Sequence, residues 1–163
     1  MTFQRLRRTL SALLLALAGL GLAPEAMADG KPYNESAHPA DDLMAALKLA
    51  REANKHVLLV FGANWCTDCR KLDVDLKTGP LATLMERDFI VVKVDVGRFD
   101  KNLDFVNLYP KVIAKGIPSI AVVTARNEIV HVAQGGELAD ARHMNAEQVG
   151  KYFEDLSRKT VGH

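Results

Sequence analysis

An unbroken apolar run, Val57-Leu58-Leu59-Val60-Phe61, is followed almost at once by Trp65-Cys66-Thr67-Asp68-Cys69. A strand with one wet face alternates apolar and polar residues. A run that is apolar at every position must be covered on both faces, as in the middle of an α/β sheet. The cysteines come where such a strand would give way to a helix. That helix is predicted to start near Cys66 and run through Leu72 and Leu76, with Gly79-Pro80 interrupting it and Leu81 to Arg87 resuming it.

The flanking segments complete the pattern. Asp41 to Asn54 predicts a helix, with Leu43, Leu47 and Ala50 on one face and Asp41 as its cap. Phe89 to Val96 is a second strong strand. Asp100 to Lys115 is ambiguous and is taken as a helix broken at Pro110. Ser119 to Thr124 and Glu128 to Ala133 flank a short turn at Arg126-Asn127, which predicts an antiparallel hairpin. Asn145 can cap a last helix, with Gln148 completing a capping box and Val149, Tyr152, Phe153 and Leu156 as its buried stripe. The predicted fold is a three-layer α/β sandwich, a central mixed β-sheet with helices on both faces.

The N-terminus has a different character. Arg5, Arg7 and Arg8 precede an apolar stretch from Leu10 to Ala23, and Ala26-Met27-Ala28 offers a cleavage site. These are the three parts of a secretory signal peptide, expected over residues 1–28. An uncleaved anchor is the competing reading, for which the run is short. Residues 29–39 (DGKPYNESAHP) are polar with two prolines and are expected to form a flexible leader, with the folded domain over 40–163. After cleavage no stable membrane insertion is expected, and the compartment is one where disulfides persist, the periplasm of a Gram-negative host. With 21 basic and 20 acidic residues, the chain lacks the basic excess of a nucleic-acid binder.

The two cysteines carry the chemistry. Two intervening residues bent into a first helical turn bring the sulfurs close enough for a Cys66–Cys69 disulfide. A helix N-terminus, with unpaired N–H groups and partial positive charge, favours a thiolate. Cys66 comes first and is expected to be the more exposed of the two, hence the nucleophile; Cys69, one turn deeper, is the resolving thiol. A purely structural disulfide and copper handling by two soft sulfurs are the alternatives. Zinc needs about four ligands, and His38, His56, His131, His143 and His163 are scattered, so no metal site is assigned.

At these residues the chain resembles the thioredoxin superfamily. The match runs through Val57 to Phe61, Ala63-Asn64-Trp65-Cys66-Thr67-Asp68-Cys69-Arg70, Lys93-Val94-Asp95 and Gly116-Ile117-Pro118-Ser119, spanning roughly 41–160. The helix-first start and broken active-site helix look most like exported thioredoxin-like proteins, such as the periplasmic thioredoxin-like domain of the thiol:disulfide interchange protein. The resemblance implies a cis Ile117–Pro118 bond facing the cysteines. It also implies a docking surface for an extended substrate chain made by Ile117, Pro118 and Trp65.

The departures matter as much. Thioredoxin has a buried aspartate where this chain has Val60, so the usual proton acceptor for the second cysteine is missing. Lys93 matches a neighbouring lysine whose role is then open. Thr67-Asp68 replaces Gly-Pro, and Asp68 would oppose a Cys66 thiolate, face solvent or simply help the helix N-terminus. Gly136 to Arg142 lengthens the loop before the last helix. The expected activity is an exported thiol–disulfide oxidoreductase, more often reducing than oxidising. A dithiol oxidase and a non-catalytic binding module or copper chaperone are the alternatives. No nucleotide or flavin fingerprint is present, so no cofactor is expected. Electrons would come from an upstream redox partner protein and go to protein or peptide disulfides.

Overall fold

The computed structural model describes residues 30–134 and 136–162. The stretch expected as a signal peptide, residues 1–28, lies outside them. The elements run α1 (Pro39–Ala53), β1 (His56–Gly62), α2 (Thr67–Asp75), α3 (Gly79–Asp88), β2 (Phe89–Asp95), α4 (Leu103–Val106), β3 (Ser119–Val123), β4 (Ile129–Val132), a 3-10 turn (Ala141–His143) and α5 (Ala146–Thr160). The sheet order is β2-β1-β3-β4. β1 pairs parallel with β2 and antiparallel with β3, and β3 with β4 forms the expected hairpin.

β1 explains why its sequence is apolar throughout. Val57, Leu59 and Phe61 face a core built with α1 and with Phe105, Tyr109 and Val112. Leu58 and Val60 face the other core, built with Leu72 of α2, Met85 of α3 and Phe153 of α5. Successive side chains alternate between the two faces, so a strand covered twice has no position left for a polar residue. All five are fully buried.

Three details differ from expectation. α1 begins at Pro39, before Asp41; His38 occupies the cap position without a side-chain hydrogen bond, and Asp41 lies in the first turn. Proline fits there because its missing N–H would have no helical partner anyway. Between Asp100 and Lys115 only Leu103–Val106 is helical, because Asn102 and Lys111 adopt left-handed backbone at φ 55 and 62. Within the stretch expected as a flexible leader, Tyr33 is buried in the α1-side core, anchored there while most of its neighbours stay exposed. At the other end, α5 carries the capping box of Asn145 and Gln148 as predicted.

Candidate functional site

β1 hands the chain to α2 through Ala63, Asn64 and Trp65. Cys66 is the N-cap of α2, with extended backbone at φ −79 and ψ 114. Its Sγ accepts a hydrogen bond from the Cys69 N–H at 3.2 Å, so the sulfur occupies the place a capping oxygen usually fills. That N–H is one of the unpaired donors of the helix start and is aimed at the atom that becomes negative on reduction. Cys66 and Cys69 are joined by a disulfide, their Cα atoms 5.2 Å apart. Cys66 is 5% exposed and Cys69 is fully buried, the order the sequence predicts.

The Ile117–Pro118 bond is cis, and the Ile117 carbonyl oxygen lies 3.6 Å from Cys66 Sγ. The side chains of both residues are buried, so what they offer at the cysteines is backbone. Trp65, next to Cys66 in sequence, is 47% exposed. Its Nε1–H donates to Gly97 O at 2.7 Å. The indole meets Phe99 edge-on at 6.3 Å, with the Arg98 guanidinium 5.6 Å from its ring. The indole is therefore fixed in orientation while about half of its surface stays exposed. Thr67 is exposed.

Asp68 neither faces solvent nor stands alone. It is buried; Oδ1 accepts the Arg142 backbone N–H at 2.9 Å, and Oδ2 lies 3.3 Å from Arg142 Nη1. The lengthened loop before α5 thus docks on the active-site helix through this aspartate.

Beneath the disulfide lies a polar cluster that sequence reasoning caught only at Lys93. Its Nζ is 3.1 Å from Asp73 Oδ1 and 5.7 Å from the centre of the Tyr33 ring. Burial pushes the Lys93 ammonium below its ordinary range, against the pull of Asp73. Burial also pushes the Asp73 carboxyl up, but hydrogen bonds and charge from Lys77 and Lys93 outweigh it and hold the group below the usual carboxylate range. Asp95 Oδ2 lies 3.4 Å from Lys101. Tyr33 enters from the N-terminal segment, pinned by Asn64. The Tyr33 N–H donates to Asn64 Oδ1 at 3.0 Å, and Asn64 Nδ2 donates to Tyr33 O at 2.8 Å. Asp73 was discoverable, since it falls one helical turn after Cys69 on the same face. Tyr33 sits in a stretch whose composition says leader, and Arg142 is 74 residues from its partner. Among the described residues no group of three or more His, Cys, Asp or Glu side chains is placed to hold a metal.

Comparison with known proteins agrees with this geometry. The model of the thioredoxin-like family matches residues 38–125. Thiol:disulfide interchange proteins DsbD from two Vibrio vulnificus strains are each 25% identical over 118 residues. That match takes in 72% of this chain but only 18% of theirs, so the chain spans about a fifth of their length. The crystal structure of a disulphide isomerase from Xylella fastidiosa Temecula1 is 40% identical with a TM-score of 0.75, over 77% of this chain and 96% of that one. The oxidised C-terminal domain of DsbD from Neisseria meningitidis is 22% identical with a TM-score of 0.52, over 73% of this chain and 96% of that one, a likeness of fold alone.

Proposed function

The chain belongs to the thioredoxin-like family, and we propose that it is an exported thiol–disulfide oxidoreductase that mainly reduces protein or peptide disulfides. One observation carries the reading: a disulfide whose outer sulfur is the N-cap of a helix and faces the carbonyl next to a cis proline. Cys66, once reduced, attacks a substrate disulfide. Its thiolate is held by the Cys69 N–H and the helix N-terminus. Cys69 then attacks Cys66 Sγ, the protein leaves oxidised, and the substrate leaves as two thiols. The substrate chain lies extended along Ile117-Pro118, held by main-chain bonds that tolerate many sequences, with Trp65 packing beside it.

The reducing direction is supported by the small number of groups placed to stabilise a Cys66 thiolate. A strong oxidase needs a reduced form held much lower in energy. Here Cys66 Sγ accepts one backbone hydrogen bond, and the first turn of the helix carries an acid, Asp68, matched by Arg142. Secretion through residues 1–28 places this chemistry in the periplasm, where an upstream redox protein would return Cys66 and Cys69 to the dithiol. The test is the reduction potential of the Cys66–Cys69 pair, set by equilibration with glutathione. A value near about −270 mV supports a reductase and one near about −120 mV an oxidase. Absence of any reversible disulfide would sink both.

A further inference from the structure

A buried hydroxyl with no hydrogen-bond partner costs free energy and calls for an explanation. Tyr33 is 2% exposed, and its Oη has no such partner among the described residues. A Cβ at Gly62 would lie 2.2 Å from Tyr33 Oη and 3.0 Å from Cys69 Sγ. Hydroxyl and sulfur therefore border the same small space beneath the disulfide, and the missing side chain of Gly62 leaves it to them. Asn64, two residues before Cys66, holds both backbone polar groups of Tyr33, so the phenol is aimed from the active-site turn itself.

The charged groups around the phenol are Asp73 from α2, with Lys77 on its other oxygen, Lys93 from β2, and Asp95 from the end of β2 with Lys101. Burial first, then the charges of Asp73 and Asp95, push the ionisation of Tyr33 far upward. The phenol therefore stays protonated and can donate a hydrogen bond but not take up a proton. A disulfide sulfur is a weak acceptor, whereas a thiolate is a strong one.

We propose that Tyr33 activates Cys69 for the resolving step, its O–H donating a hydrogen bond to the Cys69 thiolate once the disulfide is open. This rests on the dithiol reading above. In that step Cys69 gives up its proton and attacks Cys66 Sγ. The Cys66–Cys69 bond forms as the bond between Cys66 and the substrate sulfur breaks. The electron pair leaves on the substrate sulfur, which gains a proton from solvent to replace the one Cys69 released. Tyr33 keeps its own proton throughout. With Val60 supplying no acid near Cys69, the phenol lowers the cost of the thiolate instead of accepting its proton.

Tyr33→Phe removes the hydroxyl and keeps the ring. In a Cys66→Ser background, Cys69 is titrated by thiolate ultraviolet absorbance with and without Tyr33→Phe. The phenylalanine variant should hold about tenfold less thiolate at a given pH, the scale of a hydrogen bond to a charged group. With Cys66 present, it should resolve a preformed mixed disulfide about tenfold more slowly near neutral pH, the gap closing in alkali. Superimposable titrations overturn the proposal. A measurement without any variant is independent: the ring Cζ resonance of ¹³C-labelled Tyr33 should move when the disulfide is opened, and a fixed resonance also overturns it. If the unaltered protein reduces no protein disulfide, the dithiol reading fails, while the Cys69 titration still decides the role of Tyr33.

Discussion

Asp68, between the two cysteines, shares its carboxylate between the backbone and the side chain of Arg142, at 2.9 and 3.3 Å. A negative charge two residues from Cys66 opposes its thiolate, and a guanidinium on that charge removes part of the opposition. The loop before α5 is therefore placed to act on the electrostatics of Cys66 through Asp68.

Arg142→Ala should keep the backbone bond to Asp68 and lose only the cation. The apparent pKa of Cys66 should then rise, and Asp68→Asn should lower it. The Arg142 side chain is half exposed, so solvent screening keeps the shift small. The pH dependence of Cys66 alkylation measures both variants. Shifts of the same sign in both would show that packing, not charge, links the loop to the site.

Much of this site was legible for reasons that can be named. The run Val57 to Phe61 is apolar because both sheet faces are covered, and a period of two then fixes which residue meets which core. Cys66 and Cys69 were legible because strand, turn and helix follow one another locally. What stayed hidden was tertiary. Tyr33 lies among residues whose composition describes a leader, and only the gap at Gly62 makes room for its ring. Asp68 and Arg142 are joined by folding alone. The segment around Leu103 looked helical because its composition permits a helix, but left-handed turns at Asn102 and Lys111 shorten it.

Gly62→Ala should destabilise the protein. The added carbon would lie 2.2 Å from Tyr33 Oη and 2.5 Å from its Cζ, and a ring buried to 2% has little room to retreat. Overpacking of this kind costs about 1–3 kcal/mol. Urea unfolding of the oxidised protein should show a lower midpoint at unchanged slope. Because Cζ is nearly as close as Oη, Tyr33→Phe should not rescue it fully.

The Lys93–Asp73 pair should give stability an acid limb. The Asp73 carboxyl is held below its unfolded range once the cations outweigh burial, so its contribution is present above about pH 4 and is lost as pH falls through the lower folded value. Asp73→Asn leaves the Lys93 ammonium buried without its counter-charge, which should cost about 3 kcal/mol near neutral pH, the low end for a broken buried pair. The difference between parent and variant should narrow below about pH 4. A difference independent of pH would mean that the carboxylate charge is not what stabilises Lys93.

Trp65 provides a way to separate docking from chemistry. Its indole is anchored to Gly97 and bordered by Phe99 and Arg98, and an indole has no group that exchanges with a disulfide. Trp65→Ala should lower kcat/KM for a folded protein disulfide about tenfold, the scale of losing one aromatic anchor, and change reduction of a small disulfide reagent less than about twofold. Equal losses on both substrates would assign Trp65 to the sulfur chemistry and not to docking.

The sharpest contrast should come from the two cysteines themselves. Cys66 is the outer sulfur and the N-cap, facing the Ile117 carbonyl; Cys69 is fully buried beneath it. Cys66→Ala removes the only sulfur a substrate can reach and should abolish insulin reduction. Cys69→Ala keeps that sulfur and its helix N-terminus but removes the thiol that breaks the mixed disulfide. It should form the covalent complex and then stall, so that substrates stay attached until an external thiol is added. Non-reducing mass spectrometry after mixing with a disulfide-bonded protein would show the adduct on Cys66. Trapping by Cys66→Ala instead would reverse the two roles, and trapping by neither would leave the pair as a structural bond.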